Sequence, residues 1–399
     1  MNTALPASAL RADAARRRPP PRVDLSAALN ALFGQAGAPR IVGLDTWPLP
    51  YASSFAIEEA IVRFDDGSIL ELVCKDTSKA AMLPEARRIK PRFLHHPLRE
   101  IATYERILAP FATGAPRFYG SVVNRQRGRY WLFLERVRGV PLTEVGDFAV
   151  WRQVSGWLAE VHGRLARDPG LADAAALVPL VQYDRADARV WMERAQRHLE
   201  ADAAQPGSVR RRFASLASKY ERFLDEFTAL PSGFVHGEFF ASNVLVETTA
   251  GQRRVRPVDW ELAGLGPMLM DLAALPSGFV HGEFFASNVL LETTAGQGRV
   301  RPVDWELAGL GPMLMDLAAL TAGRWTETER AQLAASYRGV ASAEPRTSLS
   351  HDGFMRALDC CRLQLAIQRF GWARQWTPPA THRQDWLGEA LRAADRLGF

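Results

Sequence analysis

The segment Gly233-Phe234-Val235-His236-Gly237-Glu238-Phe239-Phe240-Ala241-Ser242-Asn243-Val244-Leu245-Val246 sets a carboxylate and an amide five residues apart, and Asp259, in Pro257-Val258-Asp259-Trp260-Glu261, follows the amide by sixteen. Amide and carboxylate oxygens are the ligands a hard cation such as Mg²⁺ prefers, which suits Asn243 and Asp259. A carboxylate within hydrogen-bond reach of a hydroxyl can take up its proton, a role open to Glu238. Phosphoryl transfer asks for both parts: a metal that neutralises phosphate charge and an acceptor for the proton of the attacking hydroxyl. A chance His-Gly-Glu turn ahead of a strand, with a structural acid at Asp259, is the plainer alternative. The order and separation of the two motifs weigh against it.

His-x-acid-x-x-x-x-Asn followed by an apolar strand resembles the catalytic loop shared by aminoglycoside phosphotransferases and protein kinases. The Asp259 segment, with Gly264-Leu265-Gly266-Pro267 and Asp271-Leu272-Ala273 behind it, is similar to the metal-binding segment of the same family. The resemblance implies an α+β, two-lobed, protein-kinase-like fold: a small antiparallel-sheet N-terminal lobe with one helix, and a larger, mainly helical C-terminal lobe. It implies ATP and Mg²⁺ as cofactors, a small hydroxylated acceptor (antibiotic, sugar or other metabolite), Glu238 as base or hydroxyl-orienting group, and Asn243 and Asp259 on the metal. The family usually carries Asp where this chain has Glu238. One extra methylene shifts where the hydroxyl must sit for in-line attack, so a nucleotide-binding pseudokinase without turnover is the alternative.

Further residues take roles from the resemblance. Lys75, ending Leu70-Glu71-Leu72-Val73-Cys74, matches the lysine on the nucleotide phosphates, and Glu100 matches its partner carboxylate, with Glu105 as competitor. Ser53 and Ser54, in Tyr51-Ala52-Ser53-Ser54-Phe55, stand where a short phosphate-covering loop belongs, since a glycine-rich loop is missing. Backbone groups near Glu135 and Val137 match the hinge that binds adenine. His162 is read as structural, and Asp271 as orienting the catalytic loop.

The stretch Ala229 to Ala273 (copy one) recurs from Ala274 to Ala318 (copy two), differing only at Val246 against Leu291 and Arg253 against Gly298. Glu283, Asn288 and Asp304 therefore duplicate Glu238, Asn243 and Asp259. Solenoids stack three or more diverged units, which this is not. The rest of the chain supplies one set of flanking elements, so one copy is surplus. Copy one keeps its connection from the preceding helix, and copy two its exit through Leu320 into Thr321-Ala322-Gly323. The expectation leans to copy one, synthesised first beside the elements it joins.

Those motifs need elements to hold them. Arg40 to Leu44, Ala56 to Phe64 and Ile69 to Lys75 read as strands, the last two joined by the turn Asp65-Asp66-Gly67-Ser68. Leu98, Ile101, Tyr104 and Leu108 recur at helical spacing after Pro97, and Tyr130 to Val137 reads as a buried strand. Beyond Gly139 the chain becomes helical, with Val154, Trp157, Leu158, Val161 and Leu165 on one stripe and a further helix from about 209 to 230. The division predicted is a disordered tail over 1–24, a nucleotide-binding lobe over 25–138 and a helical lobe over 139–399.

Composition narrows the classes. A chain of 399 residues, 47% hydrophobic, buries a large core. Neither a membrane helix nor a secretory signal is read in it, which suggests a cytoplasmic protein. The formal charge of +5 comes from dispersed arginine and shows no basic patch interleaved with aromatics, so no nucleic-acid partner is expected. Cys74, Cys360 and Cys361 have neither zinc nor disulfide spacing. Phe370, Trp372, Trp376 and Trp386, around Pro378-Pro379, could face a planar acceptor, though core packing is the plainer reading. The excess of arginine over acids in the C-terminal part argues against a polycationic acceptor, and the chain is expected as a monomer or dimer.

Overall fold

The computed structural model describes residues 22–49, 54–111, 115–142 and 147–230, the strands of the repeated block between 233 and 310, and residues 314–322, 325–341, 350–372 and 384–399. Two compact units divide the chain: residues 1–88 with 116–136, and 89–115 with 137–399.

The first unit is an antiparallel sheet of five strands, β1 (Ile41–Pro48), β2 (Ile57–Phe64), β3 (Ile69–Asp76), β4 (Phe118–Asn124) and β5 (Arg129–Glu135), in the order β1-β2-β3-β5-β4. The β2–β3 turn forms as its residues dictate: Asp66 Oδ1 accepts from the Ser68 N–H at 2.9 Å, and Gly67 takes the left-handed φ of 85°. A helix that the sequence patterns do not announce, α1 (Arg22–Gln35), covers one face. Leu25, Leu29 and Phe33, spaced to share one helical face, are buried with Val62, Leu72, Trp131 and Phe133. Arg129 Nη2 holds Asp24 Oδ2 at 2.6 Å. The tail expected over 1–24 thus gives way to ordered helix at Arg22, because this apolar face finds a sheet to cover; residues 1–21 lie outside the described residues.

Where α1 crosses β4 the contact is close. Gly120 has φ of 139°, and a Cβ placed there would meet Leu32 Cδ1 at 2.6 Å, so both backbone and space require glycine. Short α2 (Pro84–Ile89) follows β3.

The second unit begins at Ile89 and takes in the segment around Glu100. Packing explains it: Phe93 lies edge-on to Trp191, and Arg99 bonds into the chain at Pro179. Here stand α3 (Arg99–Thr103), continued by a wider turn over Tyr104–Leu108, β6 (Val140–Pro141), α4 (Phe148–Ala166), α5 (Leu171–Ala176), β7 (Val181–Gln182), α6 (Arg185–Ala201), α7 (Gly207–Ser218) and α8 (Tyr220–Ala229). Asp147 and Asp184 cap α4 and α6 by accepting backbone N–H bonds. The single helix expected from 209 to 230 is two, α7 and α8, meeting at Lys219.

The repeated block contributes β8 (Gly233–His236), β9 (Val244–Thr249), β10 (Gln252–Pro257) and β11 (Gly264–Gly266) from copy one, then β12 (Gly278–Phe279), β13 (Val289–Thr294), β14 (Gln297–Pro302) and β15 (Ala308–Leu310) from copy two. The unit closes with α9 (Leu314–Leu320), α10 (Glu327–Ala341), α11 (His351–Trp372) and α12 (Trp386–Leu397). Helix α11 is buried along most of its length, packed on α6, α9 and α12. No helix among the described residues is long and apolar enough to cross a membrane.

Candidate active site

Lys75 sits at the end of β3, where its backbone faces Ile57 of β2 and Leu132 of β5. Only 3% of it is exposed, and its ammonium lies 5.4 Å from the centre of the Phe55 ring. A buried lysine costs desolvation free energy, so a position like this is kept for what the charge does there. Nothing in the local sequence pattern marks Phe55, since the contact comes from the chain returning past β2. Beside Lys75, burial and the carboxylates of Glu58 and Asp76 push the Cys74 thiol well above its ordinary range, which leaves it an inert core residue.

Ser54 is buried and its carbonyl accepts the Leu83 N–H at 2.8 Å, tying this stretch to the chain ahead of α2; Ser53 lies outside the described residues. At the far end of β5, Glu135 donates its N–H to the Arg117 carbonyl at 2.8 Å and accepts the Arg117 N–H on its carboxylate at 3.0 Å. Its N–H is thereby engaged in closing the sheet. Val137, in the other unit, is buried.

Glu100 opens α3 and is 1% exposed, whereas Glu105 is exposed and pairs with Arg106 at 3.6 Å. Burial separates the two candidates: only Glu100 lies in a medium where one charge strongly orders another. Its neighbour Arg99, which sequence reasoning misses, fixes the helix. The guanidinium donates to the Leu94 carbonyl from Nη1 and to the Pro179 carbonyl from Nε, both at 2.7 Å, and burial lowers its pKa to about 10. Pro179 lies two residues ahead of β7, against which strands of the repeated block pair.

The remaining residues divide cleanly. Glu238, Asn243, Asp259, Glu283, Asn288, Asp304 and Asp271 lie outside the described residues, although the strands that flank them are described. His162 is structural as expected: buried on α4, with Nδ1 2.8 Å from the Tyr337 hydroxyl, and held well below its ordinary pKa by burial. Buried Trp372 stacks on Trp191 at 5.4 Å and half-buried Phe370 on His198 at 4.7 Å, so both rings are packed against their own unit; Trp376, Pro378 and Pro379 lie outside the described residues. Trp386 heads α12. Cys360 and Cys361 are buried and unpaired by disulfide, and burial raises the Cys360 thiol to about 12.

The sequence model of the phosphotransferase enzyme family matches residues 65–275 and again 272–349, well over half of the chain. The chain belongs to the phosphotransferase enzyme family. The first match closes with copy one and the second opens at the start of copy two, so the family's catalytic segment is present twice in this phosphotransferase. A microcompartment-associated aminopropanol kinase of solved structure is 12% identical over 88% of this chain and 90% of its own, with a TM-score of 0.50. An ethanolamine kinase from Plasmodium vivax is 10% identical (92% and 85% covered, TM-score 0.46), and a macrolide 2'-phosphotransferase from Brachybacterium faecium 16% identical (92% and 97% covered, TM-score 0.46). No curated protein matches the chain at a significant level. The phosphotransferase therefore has the protein-kinase-like fold expected of it: a five-stranded antiparallel sheet unit followed by a mainly helical one.

Proposed function

We propose that the enzyme moves the γ-phosphoryl group of MgATP to a hydroxyl of a small molecule. The observation that carries this reading is the buried Lys75 ending the third strand of the sheet unit, in a chain that also carries the family's Glu, Asn and Asp motifs in order. Lys75 holds the α and β phosphates, with Glu100 as its partner, and backbone groups around Val137 take the adenine. The donor set suits Mg²⁺, since Asn243 and Asp259, or Asn288 and Asp304, offer only hard oxygen ligands. When bound, the metal neutralises charge on the phosphates. Glu238 or Glu283 accepts a hydrogen bond from the acceptor hydroxyl, aims its oxygen at the γ phosphorus and takes its proton as the new O–P bond forms and the bond from the γ phosphorus to the β–γ bridging oxygen breaks, ADP being the leaving group.

The related structures are named for aminopropanol, ethanolamine and macrolide kinases, which makes amino alcohols and hydroxylated antibiotics the first acceptors to try. We infer a cytoplasmic address from the same reading, since a kinase must meet its nucleotide. Purified protein incubated with MgATP and a panel of amino alcohols, sugars, macrolides and aminoglycosides is expected to give one class of product heavier by a phosphoryl group in mass spectrometry. MgATP binding without any product would favour the second reading, a pseudokinase, which the glutamate in place of the family's aspartate motivates.

A further inference from the structure

Two adjacent acids on β2 part company in the fold. In Ile57-Glu58-Glu59-Ala60-Ile61-Val62, strand alternation sends Glu58 and Glu59 to opposite faces of the sheet. Glu59 stands in a register row that runs straight across four strands: Trp47 of β1, Glu59 of β2, Val73 of β3 and Leu134 of β5. Lys75 lies two residues along β3 from Val73, and so belongs to the same face as this row. Two residues the other way along β3, the Glu71 carbonyl takes the Arg136 N–H at 3.4 Å, a long bond for the backbone. A firmer tie on Arg136 comes from its side chain.

That tie runs through Glu59. Its Oε1 pairs with Arg136 Nε, and its Oε2 accepts the Trp47 indole N–H at 2.6 Å. The Glu59 side chain is 17% exposed and that of Arg136 27%, and a charge-assisted bond so shielded holds its geometry better than one on the open surface. One carboxylate therefore joins the end of β1 to the residue that follows β5. Val137 comes next in the chain. Glutamine would not serve, because an amide offers one acceptor oxygen and an NH₂ group, and so meets one of the two donors but not both. The neighbouring ion pair on this face is placed differently. Arg63 Nη1 donates to Asp45 Oδ2 at 2.7 Å, both side chains are about half exposed, and both lie on β1 and β2 at the edge of the sheet away from β5.

We propose, resting on the function proposed above, that Glu59 is a positioning residue for the nucleotide base: through Arg136 it holds the chain that leaves β5 for Val137, whose backbone takes the adenine, and through Trp47 it fixes the end of β1 to the same row. Its role is in nucleotide affinity and not in the chemical step. Loss of the clamp is therefore read in the KM for ATP, with kcat kept.

Full-length variants are compared by the fluorescence anisotropy of mant-ATP, which reads affinity without turnover, and by MgATP turnover. E59Q and R136M are each expected to weaken mant-ATP binding and to raise the KM for ATP by about tenfold, with kcat within about twofold of the parent. R136K keeps the charge without the planar fork and falls between. W47F removes one donor and is expected to cost about threefold. The double E59Q/R136M should bind no more weakly than the poorer single, since both break one link. D45N cuts the neighbouring ion pair and should leave affinity, KM and kcat within about twofold of the parent. Changes under about twofold in both E59Q and R136M, an equal loss in D45N, an additive double, or a fall in kcat at unchanged KM would overturn the assignment. Circular dichroism checks folding; E59Q and W47F keep side-chain size and decide the matter if R136M does not fold. A parent that binds no mant-ATP would sink the nucleotide reading itself, and this role with it.

Discussion

Lys75 and His162 are both buried and both nitrogen bases, yet they answer to different demands. Lys75 lies beside the Phe55 ring, and on the function proposed above its cation meets the nucleotide phosphates, so K75M should lower phosphoryl transfer by about 100-fold or more while circular dichroism stays that of the parent. A variant that retains most of its rate would remove Lys75 from the phosphate site. His162 is held neutral by burial, with its folded pKa below the ordinary value of 6.5. The unfolded chain therefore binds the extra proton first as pH falls, and stability present above about pH 6.5 is lost below it, by at most about 1.4 kcal/mol per pH unit. Chemical denaturation between pH 5 and 7 is expected to show this slope in the parent and a flatter one in H162Q; equal slopes would show that the proton goes elsewhere. Sequence makes both residues visible, Lys75 by its place at a strand's end and His162 by its place at a helix's end. Phe55 and Arg99 are not visible there, because each acts through a contact with chain distant in sequence.

At the scale of elements, two features decide how the candidate residues are held. Arg99 ties the start of α3, and with it Glu100, to carbonyls on either side of the second unit's first turns. R99M leaves those two carbonyls without their donor and should destabilise by about 2–4 kcal/mol in urea titration, with R99K intermediate because a single ammonium lacks the fork that spans both. A cost within error of zero for R99M would mean that the bonds form equally in the unfolded chain. Helix α1 is the second feature. F33A removes a ring packed edge-on to Phe64 at 5.8 Å, and a loss of about 3 kcal/mol is expected from thermal or urea unfolding. Strands β2 and β3 and their turn are legible in the sequence to within a residue, since alternation and turn chemistry are local signals. Helix α1 is not, because Ala, Arg and Pro before it mask an apolar stripe that means little until a sheet is present to receive it.

For the whole molecule the question is what a second, nearly identical catalytic block does to a fold with one place for it. Removing residues 229–273 or residues 274–318 leaves chains that differ from one another only by Val against Leu and Arg against Gly. Each deletion restores one run from α8 through a single set of strands to α9, and neither takes away a residue that α4, α6, α10, α11 or α12 contributes. Both shortened chains should then fold as the parent does, melt within a few degrees of it and of each other, and turn over MgATP at least as fast, because no competing strand remains for β6 and β7 to pair with. Differential scanning calorimetry, size exclusion and the turnover assay on the two chains side by side give the answer. If both deletions were to aggregate or lose their cooperative transition, the second copy, whose strands pair with β6 and β7, would be a structural part of the fold.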